Sequence, residues 1–148
     1  MAKVSIYLNF MGNAEEAFNV YKSVFNTEFS APIMRMGDTP AQPGMPGLSE
    51  ADKKKVMHIA LPITGGTEIM GTDMLESMGH KLVIGNNTTI SLNLDTKADA
   101  DRLYKGLSQG GDAKHCIAPH DEFWGYWGVC LDRFGIRWMF NVLSPQQK

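Results

Sequence analysis

The stretch that decides the fold runs from Trp124 to Asn141 and reads WGYWGVCLDRFGIRWMFN. Two runs rich in β-forming residues flank the turn Asp-Arg-Phe-Gly, whose Gly135 can adopt the positive φ that a bulged hairpin requires. The second run alternates in period two between an apolar series and a mixed one: Ile136, Trp138, Phe140 and Val142 against Arg137, Met139 and Asn141. This period is typical of a strand with one face on a core. The stretch therefore predicts a hairpin with one buried face.

Length and charge limit the class of protein. The chain has 148 residues, which suits one domain or two small modules that share a core. Its 14 Lys and Arg against 16 Asp and Glu give a net charge of −2, so we expect no nucleic-acid partner. No apolar run is long enough to span a membrane, and the first residues lack the apolar core of a secretion signal. We expect a cytoplasmic protein with no membrane partner, whose Cys116 and Cys130 are reduced thiols.

Periodicity predicts the elements of the first half. An alternating strand over residues 3–11 leads to an amphipathic helix with Asn13 as its N-cap and an end at Asn26 or Thr27. Further strands are predicted at 28–36, 56–63 and 67–73. The segment 37–54 is rich in Pro and Gly and is either mobile or functional, as a lid or an interface arm. Met34, Met36 and Met45 keep the lid as an alternative, because Met packs adaptably around ligands.

The second half repeats this order. A connector at 74–87 leads to a strand at 88–95 and a helix from Ala98 to Leu107. A short strand at 112–117 and a loop at 118–122 then precede the hairpin. Leu8-Asn9-Phe10 and Tyr21-Lys22 in the first half match Leu92-Asn93-Leu94 and Tyr104-Lys105 in the second. Each half is too small to bury a good core alone.

We therefore predict an α+β fold in a single domain over residues 1–148. Two strand–helix–three-strand modules, at about 3–73 and 88–143, form a curved mixed sheet around a cavity, with the helices on the outer face. The repeat assigns these residues to the face away from the helices: Ser5, Tyr7, Asn9, Glu68, Met70, Thr72, Thr89, Ser91, Asn93, Arg137, Met139 and Asn141. Plain solvent exposure would explain their polarity. Tyr7, Met70 and Met139 are unusual in open water and favour a cavity.

Several stretches of the chain resemble the PhnB-like branch of the vicinal oxygen chelate superfamily, which includes glyoxalases, fosfomycin-resistance proteins and extradiol dioxygenases. They span nearly the whole chain and are YLNF at 7–10, GNAEEA at 12–17, MHIAL at 57–61, FWG at 123–125 and DRFGIRW at 132–138. The resemblance implies a homodimer, and a cavity in which a divalent metal takes His and Glu ligands from the first and last strands of each module.

The metal positions are not matched. The superfamily pattern Asp-x-x-Gly-x-x-x-Glu places Met139 at the last Glu, and the repeat places Met70 at its counterpart. Thr89 stands where a His is common, and Ser5 is its counterpart. Thioethers and hydroxyls do not replace the imidazoles and carboxylates that such a metal prefers. We predict neither a metal ligand nor a cofactor, with a divalent metal kept as the alternative.

Other residues remain candidates for chemistry. His58 is a candidate general base, or else a structural histidine. The cluster His115, Cys116, His120, Asp121 and Glu122 has irregular spacing and is a poor metal site. Trp124 and Trp127 either wall a cavity or pack in a core or dimer interface. If Glu68 and Arg137 face each other across the cavity, they form an ion pair or an anchor for a polar substrate.

The functional prediction is a PhnB-like protein that binds a small organic molecule in its cavity without the usual metal. The alternatives are a metal-dependent lyase or isomerase of the glyoxalase type that uses His58, and a protein that sequesters a small molecule without chemistry. Whether the chain is an enzyme stays open here. No Gly-rich loop fit for a methyl-donor cofactor is present, although some PhnB-like sequences carry a demethylubiquinone methyltransferase label. The predicted ligand-binding residues are Tyr7, Asn9, Glu68, Met70, Ser91, Asn93, Trp124, Arg137, Met139 and Asn141.

Overall fold

The computed structural model describes residues 1–44 and 47–145. Their elements fall into two compact units, Met1–Val83 and Ile84–Lys148. Met45, considered above as part of a lid, lies outside the described residues. The predicted single domain over 1–148 remains a prediction. No helix in the described part of the chain has the length and apolar character needed to cross a membrane.

The first unit is a four-stranded mixed sheet with a helix on one face. Its elements are β1 (Ile6–Phe10), α1 (Ala14–Phe25), β2 (Met34–Arg35), α2 (Glu50–Lys53), β3 (Val56–Pro62) and β4 (Glu68–Asp73). The strands lie in the order β1-β4-β3-β2, and only the β1–β4 pair is parallel among these described strands. α1 packs closely on β4, because Gly71 has no side chain and leaves room for the Phe18 ring. A Cβ atom at Gly71 would lie only 2.6 Å from Phe18 Cε2. Phe10, Phe18 and Tyr21 are buried there in edge-to-face contact.

The second unit has the same topology. It comprises β5 (Ile90–Asn93), α3 (Lys97–Ser108), β6 (Ile117–Glu122), β7 (Gly125–Leu131) and β8 (Arg137–Leu143). The order is β5-β8-β7-β6, with β5 parallel to β8. Trp138 and Phe140 are fully buried on the face that α3 covers, and Tyr104 of α3 contacts Phe140 edge to face. The predicted α+β class, with two strand–helix–three-strand modules, is confirmed.

The hairpin between β7 and β8 is organised by one buried carboxylate. Asp132 Oδ1 accepts hydrogen bonds from the backbone N–H groups of Phe134 and Ile136, and its Oδ2 accepts from Trp138 Nε1 at 2.9 Å. Gly135 has φ +89°, as the sequence predicts for this turn. The turn therefore fixes both the register of the hairpin and the position of Trp138.

Three predictions are wrong: the strand at 112–117, the loop at 118–122 and the strand at 28–36. Residues 113–115 form a 3-10 turn, and the strand Ile117–Glu122 covers the predicted loop. The sequence did not indicate β6, because Pro119 and the polar residues after it are unusual in a strand. A Pro is tolerated here because β6 is an edge strand with an irregular register. The strand predicted at 28–36 is reduced to Met34–Arg35. Segment 37–54 is partly ordered, since it contains α2.

The first helix begins where predicted but is capped differently. Asn13 is the N-cap residue, as predicted, and its carbonyl oxygen accepts from the Ala17 N–H, but its side chain makes no hydrogen bond to the helix. Asp73 Oδ1 instead accepts from the N–H groups of Gly12 and Ala14, both at 3.0 Å. The end at Asn26 is confirmed by its left-handed φ of 50°. A carboxylate from the end of β4 thus replaces the local cap.

Candidate functional site

Strand register decides which side chains share a face, because paired residues point to the same side of a sheet. Tyr7 pairs with Met70 and Ser91 with Met139, whereas the helix-side pairs are Ile6 with Ile69 and Leu92 with Phe140. The predicted residues on strands therefore all lie on the face of their own sheet that is opposite its helix. We call these surfaces the first open face and the second open face, one for each unit. Trp124 is the exception, since it lies in the turn before β7.

The first open face centres on Tyr7 and His58. β4 separates their strands, and the two side chains approach each other above it, with Tyr7 Oη 3.3 Å from His58 Nδ1 and ring centroids 5.9 Å apart. Met70 lies beside Tyr7, Met34 pairs with His58, and Asn9 is exposed. Tyr7 is 48% exposed and His58 is half-buried. A phenol and an imidazole are thus presented among thioethers.

Glu68 already has partners within the first unit. Its carboxylate accepts a hydrogen bond from the Ser30 hydroxyl, and Lys3 Nζ lies 3.8 Å from Oε1. Its side chain is only 19% exposed. Arg137 belongs to the second unit, so the predicted approach of Glu68 and Arg137 remains a prediction. Ser30 and Lys3 therefore account for the partial burial of the Glu68 carboxylate without a contact to Arg137.

The second open face combines hydrogen-bonding, apolar and cationic side chains. Its rows across the sheet are Ser91, Met139, Val129 and Ile117, then Asn93, Asn141, Trp127 and His120, and finally Arg137 with Leu131. Asn141 Nδ2 donates to Ser91 Oγ at 2.9 Å. Arg137 is half-buried, and its Nε lies 3.4 Å from the Gly85 carbonyl oxygen. Among the described residues, no carboxylate lies within ion-pair distance of Arg137.

Aromatic rings border one end of the second open face. Trp124 and Trp127 have ring centroids 6.2 Å apart, and Phe123 contacts Trp124 at 4.7 Å. Trp127, absent from the predicted ligand-binding residues, lies on the open face beside Asn141, whereas Trp124 lies at the rim. The period-two pattern of β7 and the alignment of Trp127 with His58 in the repeat were the signals that place it there. Trp127 is therefore the stronger candidate of the two for a ligand contact.

The predicted cluster of potential metal ligands is divided among separate pairs. His115 Nδ1 is 2.9 Å from Asp112, and Asp121 binds Lys97 at 2.6 Å on the helix side of β6. His120 Nδ1 lies 3.1 Å from the Ala118 carbonyl oxygen and Nε2 lies 2.8 Å from Glu122. The carbonyl, followed by the carboxylate, raises the pKa of His120 above its ordinary value. In each of these three pairs the charged or polar side chain has a partner nearby, so a bound metal is not needed to explain its position.

The residues at the positions of the superfamily's metal ligands do not fit a divalent ion. Met70 and Met139 occupy the central strands of the two open faces, while Ser5 and Thr89 directly precede β1 and β5. Two thioethers and two hydroxyls are poor ligands for a hard or borderline cation. Within residues 1–44 and 47–145, no three His, Cys, Asp or Glu side chains are grouped to hold a metal.

Comparison with solved structures defines the class of fold. The fosfomycin resistance protein FosX from Listeria monocytogenes matches with a TM-score of 0.62 and 11% identity, covering 99% of this chain and 97% of that chain. At this identity the likeness shows the fold alone. The chain has the fold of that protein, which is the fold that the resemblance stated above implies.

The chain belongs to the family described as 3-demethylubiquinone-9 3-methyltransferase, whose profile matches residues 2–140. Protein YjdN from Escherichia coli K12 is 26% identical, over 97% of each chain. The structure of PA1353 from Pseudomonas aeruginosa has 30% identity and a TM-score of 0.78, covering 97% of this chain and 98% of that one. The PhnB protein from Bacillus cereus has 23% identity and a TM-score of 0.72, with 95% and 99% covered. The PhnB-like resemblance is confirmed.

Proposed function

We propose that the chain binds a small organic anion on the second open face without a divalent metal. The observation that carries this proposal is the half-buried Arg137, which has no carboxylate partner among the described residues and lies beside Leu131 and Met139. Partial burial of a charge is costly unless it is hydrogen-bonded, and the Gly85 carbonyl oxygen engages only Nε, so the other N–H donors of the guanidinium are available to a ligand. The planar guanidinium can donate two parallel hydrogen bonds to a carboxylate or phosphate group.

The neighbouring side chains suit the organic part of such a ligand. Met139, Val129 and Trp127 supply apolar contact area on the same face. Ser91 and Asn141, already hydrogen-bonded to each other, add a polar pair whose remaining donors and acceptors are available to a ligand. A mostly apolar surface with a few convergent polar groups is the usual composition of a small-molecule site. The proposal therefore specifies an anionic head and an apolar or hydroxylated body.

The methyl transfer named in the family description finds little support in this chain. Donor cofactors of the nucleotide type are commonly held by a Gly-rich loop between a strand and a helix in a parallel sheet. Each sheet here has one parallel pair, and the connection from β1 to α1 contains the single glycine Gly12. Metal-free binding is favoured over methyl transfer for this reason.

An enzymatic function is the second candidate, and the Tyr7–His58 contact favours it. If Tyr7 donates to Nδ1, the neutral ring carries its proton on Nε2 and can donate a hydrogen bond to a substrate oxygen. In the other tautomer Nε2 can act as a base. Among the described residues, His58 Nε2 has no hydrogen-bond partner. Turnover of an identified ligand, lost in His58→Gln while the affinity is kept, would distinguish this candidate from sequestration without chemistry.

Metal analysis is the first experiment. Protein purified without chelators and measured by plasma mass spectrometry is expected to contain far less than one divalent ion per chain. Removing trace metal should leave ligand binding unchanged. A stoichiometric ion that survives dialysis would contradict the metal-free proposal and favour the metal-dependent lyase or isomerase.

Ligand binding is tested by thermal shift with small carboxylates, phosphates and phosphonates. A ligand that binds only the folded chain raises Tm by mass action. Arg137→Met should abolish the shift produced by the best anion, and calorimetry should show at least about a tenfold loss of affinity, as expected for the loss of a charged hydrogen bond. The matched control is Arg102→Met on the exposed surface of α3, which should bind normally. Unchanged affinity in Arg137→Met would contradict the proposed face.

The homodimeric state and the cytoplasmic location are proposed together with this function. Both are compatible with the scattered charges and the family membership. Fractionation of the native host with an antibody would test the location, and recovery in the membrane or secreted fraction would contradict it.

A further inference from the structure

The two cysteines of the chain lie close to each other, at the start of β6 and near the end of β7. β6 and β7 are antiparallel with Ile117 opposite Val129, so the residues next in register are Cys116 and Cys130. Ile117 and Val129 point to the second open face, and alternation turns both cysteines to the helix side. Cys116 directly precedes β6, its backbone angles of φ −117° and ψ 129° are extended like those of a strand, and its N–H donates to the Ala113 carbonyl oxygen. The spacing of the two cysteines in the sequence does not indicate that they are near each other in the fold.

Other contacts place the two thiols in one small region. Cys116 Sγ lies 3.9 Å from the carbonyl oxygen of Leu131, the residue after Cys130. Burial, with smaller contributions from the Cys116 and Cys130 thiols, raises the pKa of the Tyr104 hydroxyl on α3, so both thiols lie near this residue. Directly opposed residues of an antiparallel pair have Cβ atoms about 4.5–5.5 Å apart, and a disulfide needs about 3.5–4.5 Å. A small shift at the end of the edge strand would close this gap.

The two thiols differ in accessibility. Cys116 is partly exposed, whereas Cys130 is 2% exposed. Burial, with a smaller contribution from the Cys116 thiol, raises the pKa of Cys130 to about 12. An external reagent therefore reaches Cys116 first, and Cys130 is positioned to act second, from within the protein.

We propose that Cys116 and Cys130 form an oxidation site that converts to an intramolecular disulfide when the folded chain meets a small disulfide such as oxidised glutathione. In the first exchange, the Cys116 thiolate attacks one sulfur of the reagent, forms a mixed disulfide and releases one thiolate. In the second, the Cys130 thiolate attacks Cys116 Sγ and releases the other thiolate. The two cysteines lose two electrons and two protons, and the reagent is reduced to two thiols.

The geometry has kinetic and structural consequences. Because the second attack needs a thiolate that is rare at neutral pH, its rate should rise about tenfold per pH unit between 7 and 9. The product would link the start of β6 to β7 directly under α3. β6 is an edge strand with an irregular register, so it is the part of this sheet best able to accept the small shift.

The test is to incubate the full-length folded protein with oxidised glutathione and follow intact mass and peptide maps. Wild type should lose two hydrogen atoms and yield a Cys116–Cys130 peptide pair without dimers. Cys130→Ser should stop at a glutathione adduct on Cys116, and Cys116→Ser should stay unmodified. Cys130→Ala replaces Cys130→Ser if the serine variant does not fold. An adduct that persists on wild type, an intermolecular disulfide, or an unmodified wild type would each overturn the proposal.

Discussion

At the scale of single residues, buried carboxylates hold this fold together by accepting hydrogen bonds from the backbone. Asp73 is 3% exposed and accepts from the N–H groups of Gly12 and Ala14 at the start of α1 and of Val56 at the start of β3. Asp132 accepts three donors within its own turn. The sequence predicts the turn at Asp132, because its motif is local. It does not predict the role of Asp73, since the donors of Asp73 come together only in the folded chain.

Asp132→Asn should destabilise the protein by about 1.5–3 kcal/mol, the usual contribution of buried hydrogen bonds to a charged group. The amide can keep one acceptor oxygen on the two backbone N–H groups, but its NH₂ then faces Trp138 Nε1–H, another donor. Urea denaturation followed by tryptophan fluorescence measures the change. Asp95→Asn on the exposed surface is the control, and an equal effect in both variants would contradict the assigned role.

At the scale of elements, the two long helices begin in different ways. α3 begins at a local cap, where Thr96 Oγ1 accepts from the Asp99 N–H at 3.1 Å. Asn13 is at the N-cap position of α1, but the side chain that accepts from the first turn is Asp73 from β4. Sequence periodicity located both helices, because each has one buried apolar stripe. It could not show which cap operates, because Asn13 and Thr96 are both residue types that favour the N-cap position.

Thr96→Ala should cost about 1 kcal/mol, the typical value for removing an N-cap side chain. Asn13→Ala should change the free energy of unfolding by less than about 0.5 kcal/mol, as for substitutions away from a specific contact. The two variants are matched controls for each other in one denaturation series. If Asn13→Ala were the more destabilising, the assignment of the α1 cap to Asp73 would be wrong.

Segment 37–54 is another case that depends on distant contacts. Arg35 binds both carboxylate oxygens of Glu15 at 2.9 and 3.0 Å, and this hydrogen-bonded pair lowers the pKa of the Glu15 carboxyl. The N–H of Met36 donates to the Lys55 carbonyl oxygen at 2.9 Å. The two ends of the segment are thus tied to each other and to α1. Its Pro and Gly content indicated a loop, but only the folded chain shows these anchors.

At the scale of the whole molecule, the repeat made the topology predictable. The same order of elements and matching residues in each half identified both strand–helix–three-strand modules, and alternation assigned the open faces. The partners of particular side chains, such as Ser30 on Glu68 and Tyr7 on His58, were not predictable. They depend on side-chain directions and on a loop whose path has no periodic signal.

The proposed homodimer is tested at this scale. Phe123 is 88% exposed and Ile117 48% exposed, both at or near β6, and exposed apolar side chains of this kind are common at subunit interfaces. Light scattering after size-exclusion chromatography should give twice the 16.4 kDa of one chain. A monomer at micromolar concentration would contradict the dimer, and Phe123→Ser should weaken association if this apolar surface forms the interface.

The parallel pairing within each sheet implies an order of folding. The β7–β8 turn is closed by contacts only six residues apart, as between Asp132 and Trp138. By contrast, the hydrogen bond between Ser91 and Asn141 spans 50 residues, and the one between Gly12 and Asp73 spans 61. Closing a longer loop costs more chain entropy, so the hairpins should form first and β1 and β5 should join last. Until then β4 and β8 each have a free edge, and a chain stalled at this stage is most exposed to aggregation.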